Sequence, residues 1–150
     1  MQHKLIIATV GTLNVAFLAD AVDKYFKIDR PFKIPGVEPP ISWIQGVRGK
    51  CVTLFHWWDR LSEVGIDSFQ VAVGNKTAAS FANAVLFNSG ASYLGFPVTD
   101  VACLVEVSDD ELTDTRNAAD DPSIVGAYNG MFVIDPVLLF RHQSKDGDVA

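Results

Sequence analysis

At 150 residues, with 49% apolar and 20% charged side chains, the chain is long enough to bury a core without disulfides or metal, and it is light in charge for its apolar load. A net charge of −6, a pI near 4.8 and twelve Lys and Arg scattered among acids argue against a nucleic-acid ligand. The apolar excess points to burial against another protein or another copy of the chain.

Residues Lys4 to Val10 are β-rich and, Lys4 and Thr9 aside, apolar, as expected of a buried central strand. The apolar run from Leu5 reaches Ala19-Asp20-Ala21, which has the small-x-small form of a signal-peptidase site, but Thr9, Gly11, Thr12 and Asn14 break it. The segment is therefore expected to stay in the folded protein as a strand followed by a helix, with no secreted or membrane-spanning form. Leu13 to Phe26 reads as that helix, with Leu13, Phe17, Leu18, Ala21, Val22 and Tyr25 in one stripe. Asp29 to Gly49 holds four prolines, which exclude regular helix and central strand, yet it carries Phe32, Ile34, Ile41, Trp43 and Ile44. It reads as an extended arm lying on its own domain or on a neighbour.

Cys51 to Val64 reads as a second helix with Gly65 as its C′ stop, and its apolar arc is wide enough to be covered on two sides. Ile66 to Val73 reads as a strand, Lys76 to Asn88 as a helix, and Val101 to Val107 as a strand. Ser108-Asp109-Asp110-Glu111 has the capping-box pattern and predicts a helix to about Ala119. Ile124 to Tyr128, Asn129-Gly130 and Met131 to Ile134 predict a hairpin with a type I′ turn, and Val137 to Phe140 a further strand. The polar stretch 141–150 has little to bury by itself and is expected to need a neighbour. The whole reads as a single α/β (or α+β) domain over residues 1–150, with a mixed sheet, about four helices and a C-terminal β-hairpin.

Chemistry-bearing motifs are sparse. Gly11-Thr12 and Val73-Gly74-Asn75-Lys76-Thr77 each read as a strand-to-helix loop, so Thr12, Asn75, Lys76 and Thr77 form a candidate ligand site if the loops adjoin. Neither loop has the glycine spacing of a phosphate cradle. His56, Asp59 and Glu63 fall on one helical face, but Arg60 sits among them, which favours a solvated, ion-paired face over a metal site. The acids from Asp109 to Asp121 do not follow a calcium-loop pattern. Cys51 and Cys103 lie in apolar stretches and read as buried, inert thiols. No nucleophile motif surrounds Ser89 or Ser92.

The leading reading is a non-enzymatic structural or assembly subunit without a cofactor, making protein contacts as a homo-oligomer or in a larger assembly, with Phe32, Trp43, Phe55 and Trp57 as interface anchors. A cytoplasmic protein or a virion component fits this reading. The alternatives are a small-molecule or nucleotide-binding α/β enzyme at Thr12 and Asn75-Lys76-Thr77, and a regulatory protein that blocks a partner.

Overall fold

The computed structural model describes residues 2–18, 22–37, 41–63, 65–89, 92–112 and 122–141. These residues form a mainly β protein, which overturns the α/β expectation. One sheet holds five strands in the order β10-β11-β2-β1-β9, and a second holds six in the order β3-β7-β8-β6-β5-β4. The strands of the first are β1 (Gln2–Val10), β2 (Leu13–Leu18), β9 (Asp100–Ser108), β10 (Ile124–Tyr128) and β11 (Met131–Ile134). Those of the second are β3 (Val22–Lys27), β4 (Phe32–Lys33), β5 (Ile41–Val47), β6 (Lys50–Phe55), β7 (Asn83–Ser89) and β8 (Ser92–Val98). Neighbours run antiparallel except β11 with β2 and β6 with β8, which are parallel. The helical pieces among the described residues are short: α1 (Trp57–Glu63), α2 (Ser68–Val73), α3 (136–141) and two 3-10 turns, Ala78–Ser80 and Asp109–Glu111.

Two-residue turns explain most of the difference. Gly11 has φ 62, and Val10 pairs with Leu13, so Gly11-Thr12 closes a hairpin instead of opening a helix. Arg48 and Gly49 have φ 51 and 80 between the paired Val47 and Lys50, so the second half of the expected arm is strand β5, hairpinned to β6. Asn129 and Gly130, with φ 50 and 79, make the same kind of turn between β10 and β11, where the sequence places it. Pro39 and Pro40 in the arm, the expected helix beyond Leu112 and the stretch 142–150 lie outside the described residues.

Both faces of each sheet are apolar, and alternate residues of one strand enter different cores. Ile6, Ala8 and Val10 of β1, Val15 and Phe17 of β2, Val85 and Phe87 of β7, and Leu94, Phe96 and Val98 of β8 meet in a core shared by the two sheets. The opposite side of the first sheet buries Leu5, Ile7, Ala16, Val107 and Val133, and that of the second buries Phe26, Val52, Leu54, Ala84 and Leu86. Strands buried on both faces carry no period-two signal, which is how β2 and β7 come to resemble helices in sequence.

Gly95 on β8 has no room for a side chain. A Cβ there would lie 2.8 Å from Leu54 Cδ2 and 3.0 Å from Phe26 Cζ. Gly95→Val should therefore destabilise the fold by about 1–3 kcal/mol, measured as a shift in the urea midpoint. An unchanged midpoint would mean that Phe26 does not cover β8.

Candidate protein-docking surface

The four expected interface aromatics separate into core and surface. Phe55 and Trp57 are fully buried. Trp57 lies edge-on to Phe17 at 5.4 Å and tilted against Phe69 at 5.1 Å, and its indole N–H donates to the Pro97 carbonyl at 2.8 Å. Neither residue can touch a partner without unfolding. Phe32 is 65% exposed on β4, whereas Trp43 is half-buried against the outer core of the second sheet. Phe32 pairs with Ile44, and Lys33 with Trp43, so Phe32 and Trp43 point to opposite faces.

The candidate ligand residues also change character. Thr12 is exposed in the β1–β2 turn, where the Gly11 N–H donates to Thr99 Oγ1 at 2.9 Å. Asn75 and Lys76 are exposed after α2, and the Thr77 N–H donates to Ser80 Oγ at 3.3 Å as the chain enters a 3-10 turn. Neither loop joins a strand to an α-helix. An open groove of about 680 Å³ lies elsewhere, lined by Lys27, Ile28, Asp29, Ala82, Asn83 and Asp100. Its wall is fixed by Gln45, which accepts from the Asp29 N–H at 3.0 Å and donates to the Lys27 carbonyl at 3.1 Å. One lysine and two carboxylates around an open floor supply no nucleophile with a partnered base.

His56 is buried between β6 and α1, not on a solvated helical face. Its Nε2 accepts the Ala78 N–H at 3.0 Å, and its ring stacks on Trp58 at 4.9 Å. Burial pushes its pKa from 6.5 down to about 4. Asp59 Oδ2 stands 3.8 Å from Nδ1, too far for a hydrogen bond, and its carboxyl is raised by burial and then by the Glu63 charge. Glu63 is paired with Arg60. The trio is thus a neutral structural histidine beside an ion pair, and no cluster of three metal-ligating side chains occurs among the described residues.

Much of the exposed apolar surface lies on the strand edges. Tyr25 on β3, Phe32 on β4, Leu104 on β9 and Val125 on β10 are all exposed apolar side chains on edge strands. Cys51 and Cys103 are exposed as well, against the expectation of buried thiols. Strand alternation turns Cys51 away from the core that takes Val52 and Leu54. Both thiols of the native chain should therefore react with a thiol reagent without denaturant, and protection of either would contradict these strand faces.

No family model matches the chain, and no curated protein matches it. Among solved structures, the chain is similar to the crystal structure of the scaffolding protein TtCheW from Thermoanaerobacter tengcongensis. The two share 16% identity over 90% of this chain and 84% of that one, with a TM-score of 0.65, which is a likeness of fold.

Proposed function

We propose that this chain is a non-enzymatic scaffold that works by binding other proteins. The observation that carries the reading is the likeness of fold, over nine-tenths of the chain, to the structure of a scaffolding protein. The placement of exposed apolar side chains on strand edges supports it, because such edges can accept a partner's strand without any rearrangement of the core. The similar structure is that of a scaffolding protein and not of a virion component, so the virion reading is set aside. The partners are proteins of other kinds, since a net charge of −6 on every copy works against self-association. A cytoplasmic location suits this reading, and no helix among the described residues is long and apolar enough to cross a membrane.

The test is mild cross-linking and affinity purification of the tagged chain from its own cells, with quantitative mass spectrometry. The scaffold reading expects defined proteins in near-equimolar amounts. Recovery of the chain alone would overturn it.

A further inference from the structure

The sheet edges differ in length and protection. Edge strand β4 has two residues, β10 has five with a register irregularity at Ile124/Gly126, and β3 has six and ends in the exposed Lys27. Short, irregular or lysine-bearing edges resist the addition of another strand. Edge strand β9 has nine residues, contains neither Lys nor Pro, and exposes Ala102, Cys103 and Leu104 in succession. A bulge leaves Ala102 unpaired between Val101, opposite Ala8, and Cys103, opposite Ile7. From Cys103 to Ser108 the register with β1 is regular, and no strand among the described residues pairs with the other side.

Leu104 lies opposite Ile6 on the shared-core face, yet it is 61% exposed. A side chain on that face would bury it. The ends of the strand are acidic: Asp100 and Glu106 are exposed, and Asp109, Asp110 and Glu111 follow in the exposed 3-10 turn.

We propose that β9 is a strand-addition site for an extended segment of a partner protein, with an apolar residue over Leu104 and Lys or Arg toward its ends. The assignment rests on the scaffold reading and names the partner's chemistry. Main-chain hydrogen bonds to Cys103–Ser108 supply the pairing, and the acidic ends select basic flanks. A second copy of the chain fits worse. Antiparallel self-pairing centred on Leu104 sets Asp100 of one copy against Ser108 and beside Asp109 of the other, and sliding the register toward Ser108 gathers acids from both.

The experiment uses the full chain and three synthetic peptides, read by amide hydrogen exchange and by solution mass. The first peptide alternates Val and Thr between terminal lysines. The second has glutamates in place of those lysines, and the third keeps the lysines but has a central proline. The proposal expects the first peptide to slow exchange across Cys103–Ser108 and to bind about tenfold more tightly than either other peptide. Leu104→Lys should abolish that protection, while Val71→Lys, at an exposed position on α2, should leave it intact. Equal binding of all three peptides, protection at β3 or β10 instead, or no protection would overturn the proposal. So would protection of β9 in the chain alone with a doubled mass, which would assign the edge to a second copy. Capture of native partners combined with failure here would remove the β9 assignment and leave the scaffold reading standing. Failure of both would remove both.

Discussion

Trp57→Ala should lower stability by about 3–5 kcal/mol, the range for removing a large aromatic side chain from a packed core. Trp57 touches rings from both sheets and from α2: Phe17 of β2, Phe96 of β8 and Phe69. Its loss would open a cavity where the two sheets meet, which backbone relaxation fills only in part. Since that variant risks failing to fold, Trp57→Phe provides the second measurement. It keeps much of the apolar volume but removes the donor to the Pro97 carbonyl, at a further cost of about 1–3 kcal/mol for the unsatisfied acceptor. Urea unfolding followed by near-ultraviolet circular dichroism measures both. A loss under about 1 kcal/mol for the alanine variant would put Trp57 on the surface, where a docking residue would sit.

The second large effect is on acid stability. His56 is held neutral in the fold with a pKa of about 4, against 6.5 when unfolded. Between those values the unfolded chain binds the proton and the folded chain does not, so stability falls as the pH falls. The contribution is complete above pH 6.5, and about 3 kcal/mol of it is lost by the time the pH reaches His56's folded value. Two carboxyls act at the lower end. Asp59 is raised, so its protonated form favours the fold on acidification and offsets part of the loss. Asp109, hydrogen-bonded to His3, is lowered from 3.8 and loses its contribution only below that value. Urea midpoints should hold level from pH 7.5 to 6.5 and then fall toward pH 4.5 in the parent chain, and stay nearly flat throughout in His56→Gln, from a lower starting stability. Parallel slopes in the two proteins would show that His56 is not the titrating group.

What the sequence made legible follows from how strong each local signal is. Asn129-Gly130 is the strongest two-residue hairpin signal, and its turn lies where it was expected. Gly11-Thr12 and Arg48-Gly49 turn the chain in the same number of residues, but with weaker residue preferences, so they read as a helix start and as the end of an arm. Once those turns are missed, apolar runs such as Leu13–Leu18 and Asn83–Ser89 match a helical stripe by chance, because both faces of each strand are buried. The α2 segment fails the other way: its Phe69 and Val73 contribute to the shared core at helical spacing, within a run rich enough in Val to read as strand. The interface aromatics were legible as important but not as to where they face. Whether a tryptophan lies outward on a sheet or inward between two sheets depends on sheet packing, which no local pattern encodes. Exposure of Leu104 was hidden for the same reason, since Val101 to Val107 reads only as an apolar strand until its place at the edge is known.

A scaffold differs from a blocking protein in holding two partners at once. The decisive measurement is therefore sedimentation of the purified chain with its captured partners, added singly and then together. The scaffold account predicts a ternary species that contains the chain and both partners and sediments faster than either binary complex. Partners that displace one another, leaving only binary complexes at every ratio, would contradict it and identify the chain as a regulator that occupies one site at a time.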